Sequence, residues 1–253
     1  MEIDLSGKKI IVTGAAEGIG KTFTEYLINS KATVAIHYNT NKESAELLEK
    51  LRPEFNSRAF QADLSLKEEV ERLFNEVTEH FGTVNIIIHN AGVFLSHAID
   101  QDIENWYKTW KKTMDINLNA VGLLTKLGIN HFQQNGGGSF IFIASRAVFR
   151  GETEEYLAYA ASKGGMVSLA RSVARSFGKQ NIKSFTIAPG FTRTRMAEDF
   201  IKTYGEEKIL NELSLNTLTE PKDIAPLVVM LCSGLMDHAT GTTIDINAGS
   251  HIR

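Results

Sequence analysis

The stretch YLAYAASKGG, residues 156–165, sets two tyrosines and one lysine among mostly small residues. A phenol titrates near ~10 and is a poor proton acceptor at neutral pH unless a neighbouring cation stabilises its phenolate. On a helix, Tyr159 and Lys163 differ by about 400° of rotation and roughly 6 Å of rise, so both side chains lie on one face, a turn apart. Tyr156 reaches the same face but stands roughly 10.5 Å from the lysine along the axis. The spacing selects Tyr159 as the hydroxyl that shares the lysine's field. By itself the pair also describes a solvated helix face, and a second feature is needed to give it chemistry.

That feature is TGAAEGIG, Thr13–Gly20, which follows the apolar run KIIVTG and leads into the helical pattern KTFTEYLI. Glycines at a strand-to-helix turn allow a tight bend and close approach of a pyrophosphate. The helix that opens there offers unpaired N–H groups and a positive dipole end to the anion. A dinucleotide is the expected ligand, and it supplies a reason for the tyrosine–lysine pair.

The elements that must hold these groups read as strands and helices in alternation. Strand-like runs are KIIVTG at 9–14, ATVAIHY at 32–38, SRAFQAD at 57–63, VNIIIHN at 84–90, SFIFIAS at 139–145, IKSFTIAPG at 182–190 and TTIDIN at 242–247. Several are apolar at nearly every position, as strands covered on both faces are, which predicts a parallel sheet with crossover helices. Helical periodicity marks Leu47, Leu48 and Leu51 before Pro53, and Val70, Leu73, Phe74 and Val77 before Gly82. One long helix is expected from about Asp102 to Gln134, with Trp106, Trp110 and Met114 as a packing stripe and NGGGS at 135–139 as the turn after it. No linker or repeat divides the chain, so 1–253 is expected to be one domain.

The 253 residues are 43% hydrophobic, enough for a full core, with a net charge of −3 from 27 basic and 30 acidic side chains. No basic run is dense enough to track a phosphate backbone, so nucleic acid is not the expected partner. The single Cys232 excludes an internal disulfide framework and reads as helix core, which fits a reducing compartment. The first residues lack a leader pattern and no apolar stretch approaches ~18 residues, so a cytoplasmic protein with no membrane partner is expected. The histidines are scattered without metal-ligand spacing, and no metal is expected.

Taken in order, TGAAEGIG, HNAG at 89–92, Asn117 in MDINLN, Ser145 in FIASR, YAASK at 159–163 and APG at 188–190 span essentially the whole chain. This set resembles the short-chain dehydrogenases/reductases of the single-domain kind, 3-oxoacyl-(acyl-carrier-protein) reductase-like members included. The resemblance implies an α/β fold, a doubly wound Rossmann domain with a parallel sheet of about seven strands flanked by helices. It implies that Tyr159 exchanges a proton with the substrate oxygen while a nicotinamide gives or takes a hydride at the same carbon. Lys163 would bond the nicotinamide ribose and lower the tyrosine pKa, Ser145 would donate to the carbonyl oxygen, and Asn117 would hold a water that relays protons.

By the same likeness Gly14, Glu17, Gly18, Ile19 and Gly20 border the coenzyme's diphosphate, and Tyr38 and Asn39 its adenosine ribose. Asp63, with Leu64 beside it, meets the adenine amine. Asn90, Ala91 and Gly92 line the ribose and diphosphate side, and Pro189, Gly190, Thr192 and Thr194 orient the carboxamide. His89 departs from the commoner asparagine, and its side chain is expected in the sheet packing.

NAD and NADP both stay open. In HYNTNK, Tyr38 stands where an NAD-type acid would be and Asn39 where an NADP-type base would be. Without an acid, Asn39, Thr40 and Lys42 can donate to a 2′-phosphate, which favours NADP; Glu17, at a position often basic in NADP-dependent relatives, weighs against it. Substrate choice is expected in the loops after Gly92, Ser145 and Gly190, with a lid over about 191–215. Phe94, Val148, Phe149, Phe191, Met196 and Phe200 predict a partly apolar pocket, and Arg146, Arg150, Arg193 and Arg195 are candidates either for an acidic group or for plain solvation. Two functions are weighed: an oxidoreductase interconverting a secondary alcohol and a ketone, a 3-oxoacyl thioester among them, and a non-catalytic dinucleotide-binding sensor or scaffold. An epimerase or dehydratase would need an added substrate domain. The end of the chain, DINAGSHIR, points by resemblance to a homo-oligomer, a tetramer.

Overall fold

The computed structural model describes residues 3–194, 197, 201 and 205–252. Seven strands form one sheet in the order β3-β2-β1-β4-β5-β6-β7, parallel at every pairing. They are β1 Lys9–Val12, β2 Thr33–Tyr38, β3 Arg58–Gln61, β4 Ile86–His89, β5 Gly138–Ile143, β6 Ile182–Pro189 and β7 Thr243–Ile246. All seven fall within the strand-like runs of the sequence.

The two-residue period of each strand divides the core in two. Ile10 and Val12 of β1 and Val34 and Ile36 of β2 face helix α1 (Gly18–Asn29) and helix α9 (Pro221–Ser233), meeting Phe23, Leu27, Ile224, Val228 and Leu231. Ile11, Ala35 and Ile87 face the other way, toward α3 (Lys67–Phe81), α5 (Ala120–Gln134) and α7 (Leu157–Phe177). Covering both faces is what allows nearly every residue of a central strand to be apolar.

Helix α3 buries Val70, Leu73, Phe74 and Val77 and ends at Gly82, whose φ of 75° suits glycine. Helix α2 (Lys42–Glu49) is narrower than its periodicity predicts. Ala45 and Leu48 are buried, but Leu47 is 62% exposed because a helix of two turns at the sheet edge has room for only a thin buried stripe, and Leu51, 42% exposed, lies beyond the end of the helix.

The long helix between Asp102 and Gln134 is continuous in direction but not in winding. Helix α4 (Ile103–Met114) passes into α5 through a five-residue π-helical turn, Asp115–Asn119, and Asn117 sits fully buried inside it. Trp106 and Trp110 stack at 5.2 Å and meet His97 edge-on, so that stripe is packing. Cys232 is buried within α9. Among the described residues no helix is long and apolar enough to cross a membrane, and no group of three or more His, Cys, Asp or Glu is placed to hold a metal.

Candidate active site

The chain winds from β1 out through β2 and β3, then returns to start β4 on the other side of β1. Where the winding reverses, the carboxyl ends of β1 and β4 part, and a crevice opens between the loops that follow them. The glycine loop leaves β1 there and HNAG leaves β4. They are tied through Thr13, whose hydroxyl donates to Ile88 O (3.2 Å) and accepts from the amides of Asn90 (2.9 Å) and Ala91 (3.0 Å). Asn90 Nδ2 returns two bonds, to Thr13 O and Gly14 O, at 2.9 and 3.1 Å.

Gly14 and Gly18 adopt φ of 64° and 52°, the left-handed region that glycine enters without penalty. At Gly20 the requirement is space: a Cβ would stand 2.1 Å from Gly14 O and 2.3 Å from Asn90 Nδ2. Gly20→Ala is therefore expected to push the loop outward, costing about 1–3 kcal/mol of stability and weakening coenzyme binding. Thermal unfolding and a coenzyme fluorescence titration check both effects.

A cavity of about 750 Å3 runs from the glycine loop to the mouth of β5 and β6. Of the residues expected around a coenzyme, Gly14, Glu17, Gly18, Ile19, Tyr38, Asn39, Asp63, Leu64, Asn90, Ala91, Gly92, Tyr159, Lys163, Pro189, Gly190, Thr192 and Thr194 all line it. Gly20 and Asn117 stand behind the wall rather than on it. Thr194 lies opposite Gly18, its Cγ2 3.8 Å from where a Cβ would be. Glycines that admit backbone contact at a helix N-terminus, facing a cavity of this size, fit a dinucleotide.

At the inner end, Ser145 follows β5 and lines the cavity together with Tyr159. Tyr159 lies in the first turn of α7, with Phe94 edge-on to its ring at 4.8 Å. Tyr156 is outside that helix and stacks on Phe94 at 3.8 Å. The lysine is on the expected face: its ammonium stands 5.9 Å from the Tyr159 ring centroid, buried, and donates to Ile143 O at 2.7 Å.

Its effect on the phenol differs from the expectation. Burial pushes Tyr159 up to about 12, with Ser145 opposing the rise and the Glu152 carboxylate adding to it, while burial lowers Lys163 to about 8. In this geometry burial sets the phenol pKa, and the ammonium is aimed at a backbone carbonyl.

Asn117 is not an exposed helix residue. Its Oδ1 accepts from Val93 N (2.8 Å), and its Nδ2 donates to Val93 O (3.0 Å) and Ser162 Oγ (3.2 Å). A Cβ on Gly92 would lie 3.3 Å from Asn117 Oδ1 and 3.4 Å from Lys163 Nζ, so the two groups converge on one point of the chain.

Of the substrate-loop residues, Phe94 and Phe191 line the cavity. Val148 and Phe149 do not: Val148 packs on the core around α7, and Phe149 stacks with His251. Arg146 and Arg150 line it together with Glu152 and Glu212, whereas Arg193 pairs with Glu206. Arg195, Met196 and Phe200 lie outside the described residues.

Two histidines matter in a way their scatter concealed. His37, at the penultimate position of β2, accepts Gly14 N–H at Nδ1 (2.9 Å) and pairs through Nε2 with Ala62 O (3.0 Å), so it holds the glycine loop as a neutral imidazole. Its signal in the sequence was a polar residue inside an apolar run. His89 is fully buried, stacked on Phe140 and Phe142 and bonded to Thr125, as expected of sheet packing.

Burial lowers His37 to about 4 and His89 to about 3. Below the ordinary histidine pKa the unfolded chain takes up protons that the folded chain refuses, so stability is present at neutral pH and lost as pH falls. On the order of 3 kcal/mol is expected to disappear by pH 4 from His37 alone. Urea unfolding between pH 7 and 4 reads this, and His89→Phe should reduce the slope.

Comparison with known proteins finds likeness along nearly the whole chain. A family model described as enoyl-(acyl carrier protein) reductase matches residues 14–251. Glucose 1-dehydrogenase 2 of Bacillus subtilis (strain 168) is 26% identical over 248 residues, 97% of this chain and 95% of that protein. A 3-oxoacyl-(acyl-carrier-protein) reductase, FabG of Aquifex aeolicus (strain VF5), is 25% identical over 251 residues, 98% and 99% of the two chains.

Among solved structures, a 7α-hydroxysteroid dehydrogenase complexed with NADH and 7-oxo glycochenodeoxycholic acid superposes with a TM-score of 0.88 at 26% identity, covering 98% of this chain and 96% of that one. A short-chain dehydrogenase from Burkholderia cenocepacia J2315 in complex with NADP gives 0.88 at 26% identity, with 97% and 98% covered. The chain belongs to the short-chain dehydrogenase/reductase family. It is an NAD(P)-dependent oxidoreductase acting on alcohol and ketone groups.

Proposed function

We propose that Tyr159 is the proton donor and acceptor of this enzyme, with Ser145 and Lys163 beside it and Asn117 behind it. The observation that carries the reading is that Ser145, Tyr159 and Lys163 together line the inner end of the cavity whose outer end is the glycine loop. When bound, the nicotinamide coenzyme supplies or accepts a hydride at the carbinol carbon. In reduction, Tyr159 Oη gives its proton to the substrate oxygen while Ser145 Oγ donates a hydrogen bond to the charge developing there. A phenol raised to about 12 holds its proton at neutral pH and suits this direction. Lys163 offers the charge that steadies the phenolate left behind. Asn117 fixes Val93 and Ser162 around the lysine, and a water held there would return the proton.

NADP is the preferred coenzyme in this reading. Among the residues lining the cavity, the end of β2 contributes Tyr38, Asn39, Thr40 and Asn41 and no acid, and Lys21 adds a cation. Lys42 is turned to Glu46 at 3.5 Å and does not line it. Glu17 and Asp63, which do, weigh the other way. Parallel titrations with NADPH and NADH test the choice: the phosphate should tighten binding, and a Lys21→Ala variant should lose that advantage. A screen of ketones and secondary alcohols with both coenzymes, followed by nicotinamide absorbance, tests the reaction.

The domain is read as 1–253 with the stretch 191–215 as a substrate lid, since Phe191, Thr192, Thr194, Ala197, Ile209 and Glu212 all border the cavity. The substrate is a small molecule. A homotetramer in the cytoplasm is the assembly and location we favour. Exposed Leu235 and Ile252 near the edge strand β7 support an assembly, and sedimentation velocity tests it.

A further inference from the structure

Strand β5 delivers Ser145 and, one residue later, Arg146. The Arg146 side chain is only 7% exposed, although it lines the same cavity as Tyr159. Its Nη2 donates to Glu212 Oε2 at 3.1 Å, and its Nη1 is buried with no hydrogen-bond partner among the described residues. Arg150, at the end of the short helix α6 (Ala147–Arg150), donates to the same Oε2 at 2.9 Å. Glu212 follows helix α8 (Glu206–Leu210), and its side chain is 43% exposed. Glu152, pushed up by burial and pulled down by Arg150 and Arg146, completes the group.

A buried guanidinium is costly unless it is well paired, and its fork fits a carboxylate through two parallel bonds. Here two forks converge on a single oxygen of a half-exposed side chain, and one buried nitrogen remains without an acceptor. The partner that fits them better is a carboxylate in the cavity itself. We propose that Arg146 and Arg150 form the subsite for a carboxylate on the substrate, that the enzyme acts on an oxo acid or the matching hydroxy acid, and that Glu212 occupies this subsite until the substrate displaces it. The inference rests on the reading of Ser145 and Tyr159 as the reacting end.

Charge supports the exchange. Two guanidinium groups face two carboxylates, Glu152 and Glu212. When a substrate carboxylate replaces Glu212 the count is unchanged, whereas a neutral group that displaced Glu212 would leave a buried cation uncompensated. Size does not oppose it, since Glu212 is released toward solvent and no core side chain has to move.

The test is calorimetric titration of the full-length enzyme, with saturating NADP+ or NAD+ to prevent turnover. The probes are the straight-chain methyl-ketone acids from 3-oxobutanoate to 7-oxooctanoate and their primary amides. At least one acid is expected to bind wild type about tenfold more tightly than its amide. Arg146→Met should abolish that preference. Glu212→Gln, whose amide oxygen can still accept from both guanidinium groups and whose folding is checked by its melting curve, should tighten the acid by about threefold or more and leave the amide unchanged. If no acid outbinds its amide in wild type or in Glu212→Gln, the subsite is overturned. Reduction assays with NADPH and NADH separate the two readings. Amides reduced and bound as well as acids would sink the subsite alone, whereas acids that bind without any ketone being reduced would sink the role of Ser145 and Tyr159 while leaving the anion site standing.

Discussion

Tyr159→Phe is expected to lower kcat by about 10²- to 10⁴-fold in both directions, with coenzyme affinity within about twofold of wild type. The phenol lines the cavity with Ser145, and phenylalanine keeps the ring that Phe94 packs against while deleting only the reacting oxygen. The fold should survive, since the deleted hydroxyl was itself a desolvated polar group. Steady-state kinetics with a coenzyme binding titration on the same preparation checks this. Undiminished turnover would remove the proton-transfer role from Tyr159. In wild type the raised phenol pKa also sets a direction: oxidation needs the phenolate and should accelerate as pH rises, while reduction, which needs the proton, should not.

Lys163→Ala is expected to act in two opposite senses. Turnover should fall by about a hundredfold or more, because the phenolate loses its neighbouring cation, and coenzyme affinity should fall by roughly tenfold with the loss of a charged donor at the ribose. Stability should not fall with them. Burial brings Lys163 down to about 8, so the unfolded chain holds this proton up to the ordinary lysine range while the folded chain releases it earlier. Stability is therefore lower below pH 8 and rises as pH passes from 8 toward 10.5. At neutral pH the buried ammonium costs on the order of 3 kcal/mol, offset in part by its bond to Ile143 O. The alanine variant should melt at or above the wild-type temperature while being nearly inactive. A clear fall in melting temperature would mean that Lys163 is chiefly structural. Loss of substrate affinity alone, with coenzyme binding intact, would remove the ribose contact.

The two variants separate the roles within one helix face. Position 159 should change chemistry without binding, and position 163 should change both. A strained or desolvated group kept at a measurable cost in stability is what a functional site shows when its chemistry sets the constraint.

Much of this molecule was legible residue by residue. All seven strands stand where strand-like runs stood, and the central ones are apolar along most of their length because they are buried on both faces. Tyr159 and Lys163 share a face because helical geometry permits nothing else at a spacing of four. The glycine loop was legible because only glycine tolerates both the left-handed φ at Gly14 and Gly18 and the 2.1 Å approach at Gly20.

Local pattern misled where the tertiary surroundings decide. Leu47 and Leu51 repeat with helical period, yet Leu47 lies outside the thin stripe that α2 buries and Leu51 lies beyond the helix end. The π-helical turn around Asn117 left no trace, since the buried positions Thr113, Asn117, Ala120 and Val121 keep a spacing of three or four through it.

What the order of residues determined by itself is everything set within a few turns of chain: strand and helix identity, the bend at the glycines, and the tyrosine–lysine face. Which distant groups meet was decided only by packing. His37 became the support of Gly14 because β2 lies beside β1, and Lys163 met Ile143 O instead of the phenol oxygen because α7 crosses the end of β5. Arg146 and Glu212, far apart in sequence, came to share one wall of the cavity when the segment after α8 folded over the sheet. Periodicity is a property of one segment, whereas a pKa, a buried ion pair or a cavity wall depends on the distances between segments, and those exist only once the sheet and its helices have closed on each other.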